Sequence, residues 1–151
     1  MVKRLAMRLL NYNFKQPSDW TCGPAVARII LNYYGTNKSI RQLVRELRAT
    51  RHGTSNGSIR NLLRRHDIKF YEHQNTSLKK MKKCLQKNIV LVAYWIPRHK
   101  ESHYSIVKKI TREQINFHDT WFGSSHSYSL PYFEKNWRDD EANRWMLTVK
   151  K

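Results

Sequence analysis

Two polar residues near the start of the chain could together stabilise the oxyanion of an acyl-transfer reaction. Cys22 begins a segment of helical periodicity, and a helix N-terminus favours a thiolate through its partial positive charge and unpaired N–H groups. Gln16 lies six residues earlier, which is enough chain to return its side-chain amide beside the thiol. That amide and the backbone N–H of Cys22 could both donate to an oxyanion. A lone cysteine is more often a small buried hydrophobic residue, so the hypothesis depends on finding a base.

Seven histidines could act as that base: His52, His66, His73, His99, His103, His118 and His126. His103 begins a predicted strand, and Asp119 ends the strand that should pair with it. Their separation of 16 positions accommodates two strands and a tight turn, so the carboxylate should hold the imidazole as in a catalytic triad. His118 should point to the opposite face, because successive strand residues alternate. We expect solvated side chains at four others: His52, His66, His73 and His99.

The first half of the chain has the periodicity of helices. Apolar residues recur at helical spacing over residues 22–33, and Gly35 follows as a helix terminator. Ser39 can begin a second helix with a capping box. A loop over residues 52–57 leads to a third helix, whose apolar stripe lies within residues 59–63. The elements that position Cys22 are therefore predicted to be helical.

The periodicity changes in the second half of the chain. Ser77 can cap a fourth helix, and Cys84 falls on its inner face, so we expect Cys84 in the core. The other predicted elements are strands at residues 68–71, 89–96, 104–110, 115–117 and 145–149 and a short helix at residues 130–137. Helices followed by strands indicate an α+β domain with an antiparallel sheet rather than a parallel α/β fold.

The composition is that of a basic globular domain without disulfides. The 151 residues are 40% hydrophobic and 12% aromatic, so we expect a single domain over residues 1–151 with a substantial core. Lys and Arg number 29 against 11 Asp and Glu, a formal charge of +18. Such a charge could bind polyanions non-specifically, although most basic residues lie on predicted solvated helix faces. Two cysteines are too few for a disulfide framework or a paired zinc site.

The sequence contains no predicted targeting or membrane segment. Arg8 interrupts the apolar run near the start, and no small-residue cleavage site follows it, so we expect no signal peptide. No stretch approaches the ~20 apolar residues that a spanning helix requires. Together with the low number of cysteines, this leads us to expect a cytoplasmic protein. We also expect neither a cofactor nor a metal.

One segment, residues 16–25, contains Asp19-Trp20-Thr21-Cys22-Gly23-Pro24-Ala25. It resembles the active-site segment of the bacteriocin-processing cysteine peptidases, which trim leader peptides after a double glycine. Further motifs occur in the order and spacing of that family: Tyr33-Tyr34-Gly35, Gly53-Thr54-Ser55, His103-Tyr104-Ser105-Ile106-Val107, Asp119 with Gly123, and the helix from Leu130 to Trp137. The resemblance covers nearly the whole chain, and the combination of motifs is specific.

The resemblance implies a papain-like fold and a peptide or protein substrate. It gives the family's catalytic roles to four residues: Cys22, His103, Asp119 and Gln16. Two positions depart from the family, which often has Gly where this chain has Ser102 and Pro where it has Thr120. Both departures could reshape the substrate cleft. Family members that process bacteriocins are usually fused to a membrane transporter, so this chain resembles the free-standing relatives, and the leader-peptide substrate is not carried over.

Two other functions remain open from the sequence. The same four residues would support acyl transfer to an amine as well as hydrolysis. A basic nucleic-acid- or protein-binding module on a papain-like scaffold is the second alternative, favoured by the charge of +18 and by exposed-looking aromatics such as Trp121, Phe122 and Tyr128. Against it, the basic residues form no single tract and no zinc-finger or RNA-recognition motif is present. A cysteine peptidase is therefore the leading hypothesis.

Overall fold

A computed structural model describes Leu10 and residues 14–151 of the chain. Arg8, on which the expectation of no signal peptide depends, lies outside the described residues. Within the described part the helices are α1 (Cys22–Tyr33), α2 (Ile40–Leu47), α3 (Asn56–Arg65), α4 (Leu78–Leu85) and α5 (Leu130–Asn136). The strands are β1 (Phe70–His73), β2 (Asn88–Ile96), β3 (Glu101–Ile110), β4 (Gln114–His118), β5 (Ser127–Ser129) and β6 (Met146–Lys150). Among these described helices, none has the length and apolar character needed to cross a membrane.

The strands form one antiparallel sheet in the order β1-β6-β2-β3-β4-β5. The long strands β2 and β3 lie at its centre, where Tyr94 is opposite His103. A tight turn joins β3 to β4, with Ile106 opposite His118. The architecture is therefore the predicted α+β arrangement, and the hairpin expected to bring His103 towards Asp119 is present.

Helices cover both faces of this sheet. Alternate residues of β2, beginning with Ile89, pack into a core with α1, α2 and α3. The residues between them, beginning with Val90, pack into a second core with α4 and α5. Because both faces are buried, β2 needs apolar residues at nearly every position, which explains its continuous apolar run.

The helix α1 lies in the first of these cores, and its residues are buried along most of its length. Pro24 is tolerated in the first turn, where its missing N–H would have no helical partner. The helix ends before Gly35, whose φ of +89° favours glycine. Thr21 precedes Cys22, but its hydroxyl donates to the Ser18 carbonyl at 2.9 Å instead of capping the helix. The helix α1 therefore begins without a side-chain cap.

Local caps determine where several other helices begin. Ser39 and Gln42 form the predicted capping box of α2, and Ser77 caps α4 as expected. The helix α3 begins at Asn56, inside the segment predicted to be a loop, because Ser55 caps it. A carboxylate from a distant loop also accepts the backbone N–H of Asn56, at 2.8 Å from Glu141 Oε2. Sequence periodicity alone could not reveal that contact.

Candidate active site

Cys22 is the first residue of α1 and is only 6% exposed. Its neighbour Gly23 packs so closely against the side chain of Thr54 that an added Cβ would lie 2.3 Å from Thr54 Oγ1. The hydroxyl of Tyr104 in turn donates to the Thr54 carbonyl at 3.1 Å. This packing holds the N-terminus of α1, and with it the thiol, against β3.

His103 and Asp119 lie together at the ends of β3 and β4. The imidazole Nε2 is 2.8 Å from Asp119 Oδ2, and both residues are buried. An ionised carboxylate only accepts hydrogen bonds, so Nε2 donates. The other ring nitrogen, Nδ1, is then free to face the thiol of Cys22, which lies close enough to affect the pKa of the imidazole. The spacing of 16 residues thus brings together the two side chains that the sequence paired.

The carboxylate of Asp119 accepts hydrogen bonds from four further donors. Oδ2 also accepts from the hydroxyls of Tyr94 at 3.0 Å and Ser105 at 2.8 Å. Oδ1 accepts from the backbone N–H groups of Trp121 and Phe122, each at 2.8 Å. Five donors from three parts of the chain therefore hold the orientation of this carboxylate.

The electrostatics of the site favour an ion pair between Asp119 and His103. Burial alone would raise the pKa of Asp119, but the hydrogen bond and charge of His103 outweigh it and hold the pKa well below its ordinary value. Burial likewise opposes the charged form of His103. Hydrogen bonds and charges from Asp119 and Cys22 overcome that effect and raise the pKa of the imidazole to about 10. The imidazole is therefore protonated at neutral pH.

Sequence reasoning did not identify Tyr94 or Ser105 as part of the site. Tyr94 lies within the apolar run of β2, where its hydroxyl is easily overlooked. Burial and the adjacent Asp119 raise the pKa of Tyr94 well above its ordinary value, so the hydroxyl keeps its proton and donates. Ser105 follows His103 by two residues and therefore shares its face of β3. That period of two was the one sequence feature that could have indicated Ser105.

Gln16 is 5% exposed and does not face solvent. Its backbone N–H donates to the Thr120 carbonyl at 3.0 Å, and its Oε1 accepts from the Thr120 hydroxyl at 2.8 Å. Its Nε2 donates to the Ser18 carbonyl at 2.7 Å. Because Thr120 directly follows Asp119, the segment immediately after β4 contacts both the amide side chain and the histidine.

A cleft of about 380 Å³ opens beside His103. Its lining consists of Asp19, Ile96, His99, Glu101, His103, Trp121 and Phe122. Trp121 and Phe122 are 46% and 40% exposed, which is high for large apolar side chains. Two carboxylates, those of Asp19 and Glu101, also line this cleft of a basic chain. The cleft can therefore bind a ligand that has both apolar and polar groups.

The other histidines lie outside the pairing of His103 with Asp119. His118 is buried opposite Ile106, on the face away from His103, as the alternation along β4 predicts. His126 is half-buried and stacks on Phe122 with ring centroids 4.6 Å apart, and burial lowers its pKa. The expectation that His66 is solvated is wrong. Its side chain is mostly buried, with Nε2 3.6 Å from Glu46.

Two further expectations concern the thiols and metal ligands. Cys84 is only partly buried, at the edge of the core formed with α4 and α5, rather than fully inside it. Across Leu10 and residues 14–151, no group of three or more His, Cys, Asp or Glu side chains is arranged to hold a metal ion.

Comparisons with known proteins found one matching family model and several solved structures of the same fold. A family model described as the peptidase C39 family matches residues 11–143. No curated protein matches the chain.

Solved structures with the same fold share little sequence with the chain. The peptidase domain of Streptococcus ComA, a bi-functional ABC transporter involved in quorum sensing, has 17% identity and a TM-score of 0.70, covering 91% of this chain and 97% of that one. A double glycine motif protease from an AMS/PCAT transporter, solved with its leader peptide, has 14% identity and a TM-score of 0.70, with coverage of 91% and 90%. A protein described as a C39-like peptidase from Bacillus anthracis has 12% identity and a TM-score of 0.73, with coverage of 97% and 98%.

Proposed function

The chain belongs to the peptidase C39 family of cysteine peptidases, and we propose that it hydrolyses peptide bonds through a thioester on Cys22. The observation that best supports this mechanism is the 2.8 Å contact between His103 Nε2 and Asp119 Oδ2. This contact leaves the second ring nitrogen, Nδ1, available to the thiol of Cys22, which is among the groups that raise the pKa of the imidazole. A thiolate–imidazolium pair of this kind is an activated nucleophile with a proton donor beside it.

In the first step the thiolate of Cys22 attacks the carbonyl carbon of the scissile bond, and a C–S bond forms. The carbonyl oxygen becomes an oxyanion, which accepts hydrogen bonds from the backbone N–H of Cys22 and the side-chain amide of Gln16. Donors placed in advance where charge develops stabilise the transition state more than the substrate.

The tetrahedral intermediate then collapses as the C–N bond breaks. His103 gives its Nδ1 proton to the departing nitrogen, so the leaving group is a neutral amine. Asp119 keeps the ring in the orientation needed for this transfer and stabilises its positive charge before the proton leaves. The acyl group of the substrate remains on the sulfur as a thioester.

Water completes the reaction. His103 accepts a proton from the water through Nδ1 while the water oxygen attacks the thioester carbonyl, and the C–S bond breaks to release the acid and restore the thiolate. An amine in place of water would give acyl transfer with the same residues, so the products distinguish a hydrolase from a transferase.

The cleft beside His103 is proposed to bind the part of the peptide on the leaving-amine side. His103 delivers its proton to that nitrogen, and the cleft extends from His103 to the exposed rings of Trp121 and Phe122. One structurally similar protein is a double glycine motif protease solved with a leader peptide. Peptides with two adjacent glycines are therefore the first class to test, although other peptides must be tested beside them.

The direct test is cleavage of a synthetic peptide mixture, half with a Gly-Gly pair and half without, followed by mass spectrometry. We expect new N- and C-terminal fragments with the wild-type chain and none with Cys22→Ala. The matched control is Cys84→Ala, which removes the other cysteine and should retain cleavage. Fragments carrying an added amine, instead of free acids, would establish acyl transfer in place of hydrolysis.

The variants should rank by the role of each side chain. Cys22→Ala and His103→Ala should be most severe, since they remove the nucleophile and the proton donor. Gln16→Ala should act mainly on kcat, costing roughly 3 kcal/mol, the scale of one oxyanion donor. Asp119→Asn should lower kcat while retaining the fold. A folded Cys22→Ala chain that still cleaves peptide would disprove the mechanism. An Asp119→Asn variant with the wild-type kcat would exclude the role of Asp119 but leave the rest of the mechanism standing.

A further inference from the structure

Thr120 is a buried residue between two parts of the site, and it has a hydroxyl to which sequence reasoning assigned no role. It is 3% exposed. Its Oγ1 lies 2.8 Å from Gln16 Oε1, and its carbonyl accepts the Gln16 backbone N–H at 3.0 Å. Both the main chain and the side chain of Gln16 are thus bound to one residue, 104 positions away in sequence.

The partners of the Gln16 amide determine which end is oxygen and which is nitrogen. The Ser18 carbonyl can only accept, so the atom 2.7 Å from it must be the Nε2 donor. The amide oxygen then faces Thr120, and because that oxygen can only accept, the Thr120 hydroxyl must donate. Nε2 has two hydrogens and Ser18 takes one. The second is the hydrogen that the proposed function directs at the oxyanion.

We propose that Thr120 is a positioning residue of the oxyanion hole, acting through the amide of Gln16. The terminal torsion of a glutamine side chain is broad and nearly two-fold, so an unrestrained amide can turn its oxygen towards the developing negative charge. The Thr120 hydroxyl holds that oxygen on the opposite side. Its hydrogen bond also polarises the amide, which strengthens Nε2 as a donor. This assignment rests on the proposed function, in which Gln16 stabilises the oxyanion.

The test replaces Thr120 with Val, which keeps the branched shape but lacks the hydroxyl, and with Ser, which keeps the hydroxyl. On a peptide identified by the cleavage assay, Thr120→Val should lower kcat about tenfold, the scale of one buried hydrogen bond, with KM within about twofold. Thr120→Ser should restore most of kcat. The matched control is Thr148→Val, a buried threonine on β6, two strands from β3, which should leave kcat unchanged.

Two further measurements separate a positioning role from a merely structural one. Alkylation of Cys22 by iodoacetamide forms no oxyanion, so its rate should be the same in Thr120→Val as in the wild type. In a Gln16→Ala background Thr120→Val should lower kcat no further, because its effect passes through the missing amide. A kcat loss that persists in that background, or a Thr120→Val chain with wild-type kcat, would overturn the assignment.

A probe that needs no known substrate distinguishes failure of this inference from failure of the proposed function. A blocked Gly-Gly aldehyde adds to an active thiol to form a hemithioacetal, whose oxygen occupies the oxyanion position, and should protect Cys22 from iodoacetamide. Protection should require about tenfold more aldehyde in Thr120→Val. Equal protection in both chains would overturn the role of Thr120 alone. A wild-type chain that is neither protected nor cleaves any peptide would overturn the proposed function and this assignment with it.

Discussion

At the scale of single residues, Asp119 and Thr120 link the two halves of the candidate site. The carboxylate of Asp119 contacts the imidazole of His103, and the next residue contacts the amide of Gln16. A displacement of the segment immediately after β4 would therefore disturb the proposed base and the proposed oxyanion donor together. Effects of variants at these neighbouring positions should not be additive.

The two cysteines should differ in reactivity. Cys22 lies at a helix N-terminus beside a protonated imidazole, whereas Cys84 lies on α4 without such a partner among the contacts described. We expect limiting iodoacetamide near neutral pH to label Cys22 first, because the thiolate is the reactive form. Peptide mapping of the native protein measures this. Equal labelling, or preferential labelling of Cys84, would contradict the assignment of Cys22.

Asp119→Asn should change the pH dependence of catalysis. Asp119 is one of the groups that raise the pKa of His103 to about 10, so without its charge the imidazolium is lost at lower pH. The alkaline limb of the kcat/KM profile should therefore move towards neutral pH. A variant with an unmoved alkaline limb would show that Asp119 does not control the protonation of His103.

The same substitution should reduce stability within a defined pH window. The folded pKa of Asp119 is lowered, so its stabilising contribution is present above its ordinary value of 3.8 and is lost as pH falls. The folded pKa of His103 is raised, so its contribution is complete below 6.5 and is lost as pH rises through about 10. The free energies of unfolding of the wild type and Asp119→Asn, measured with denaturant, should differ most near pH 5 to 6 and converge at both extremes of pH. A difference that is constant with pH would mean that the ion pair is not its cause.

At the scale of elements, the N-terminus of α1 is seated by contact with the loop before α3. Gly23 lies against the side chain of Thr54, whose backbone carbonyl accepts the Tyr104 hydroxyl. The loop therefore separates α1 from β3 by a fixed amount. This spacing determines how the thiol of Cys22 approaches the imidazole of His103.

Gly23→Ala should destabilise the protein by about 1–3 kcal/mol, the usual range for overpacking a close contact. An added Cβ would lie 2.3 Å from Thr54 Oγ1 and 2.5 Å from Thr54 Cβ, and the latter cannot rotate away. Gly57 is the matched control, since it is also the second residue of a helix but its Cβ would meet only side-chain ends, those of Arg60 at 3.4 Å and Ser55 at 3.8 Å. Gly57→Ala should be neutral or slightly stabilising.

A second variant checks that the collision with Thr54 is the cause. In a Thr54→Gly background the unfolding free-energy loss caused by Gly23→Ala should shrink, because the colliding atoms are absent. Chemical denaturation of the four proteins gives the coupling energy. A coupling near zero, or a Gly23→Ala protein as stable as the wild type, would mean that the helix has room to shift.

At the scale of the whole molecule, the formal charge of +18 contrasts with the carboxylates that line the cleft. Acidic residues are scarce in the chain, yet Asp19 and Glu101 both line the cleft beside His103. Other surfaces are strongly basic, such as the outer face of α4 with its exposed lysines at 79, 80, 82 and 83. The cleft and the basic surface are therefore suited to ligands of different charge.

The basic surface should bind polyanions in a manner that salt abolishes. The protein should be retained on heparin and bind single-stranded RNA. The logarithm of the binding constant should fall linearly with the logarithm of the salt concentration, because binding releases condensed counterions. Replacing the four exposed lysines of α4 by glutamine should reduce that slope, while Cys22→Ala should not change it. Tight binding with sequence preference at high salt would instead favour a dedicated nucleic-acid-binding role.

The sequence by itself was sufficient to predict the features that depend on local periodicity. Helical spacing after Cys22 predicts α1, and the capping box at Ser39 predicts the start of α2. The pairing of His103 with Asp119 was also predictable, because a tight hairpin determines which residues meet at its open end. These predictions need no knowledge of distant parts of the chain.

Only the tertiary structure decided which polar groups surround those residues. Tyr94, from another strand, donates to Asp119, and the Thr120 hydroxyl bonds to an amide 104 residues earlier. Glu141 binds the first N–H of α3 across 85 residues. Such contacts depend on strand register and on how helices pack against the sheet, which no local pattern encodes. A buried hydroxyl or carboxylate must find a partner, but only the packed fold determines which partner is within reach.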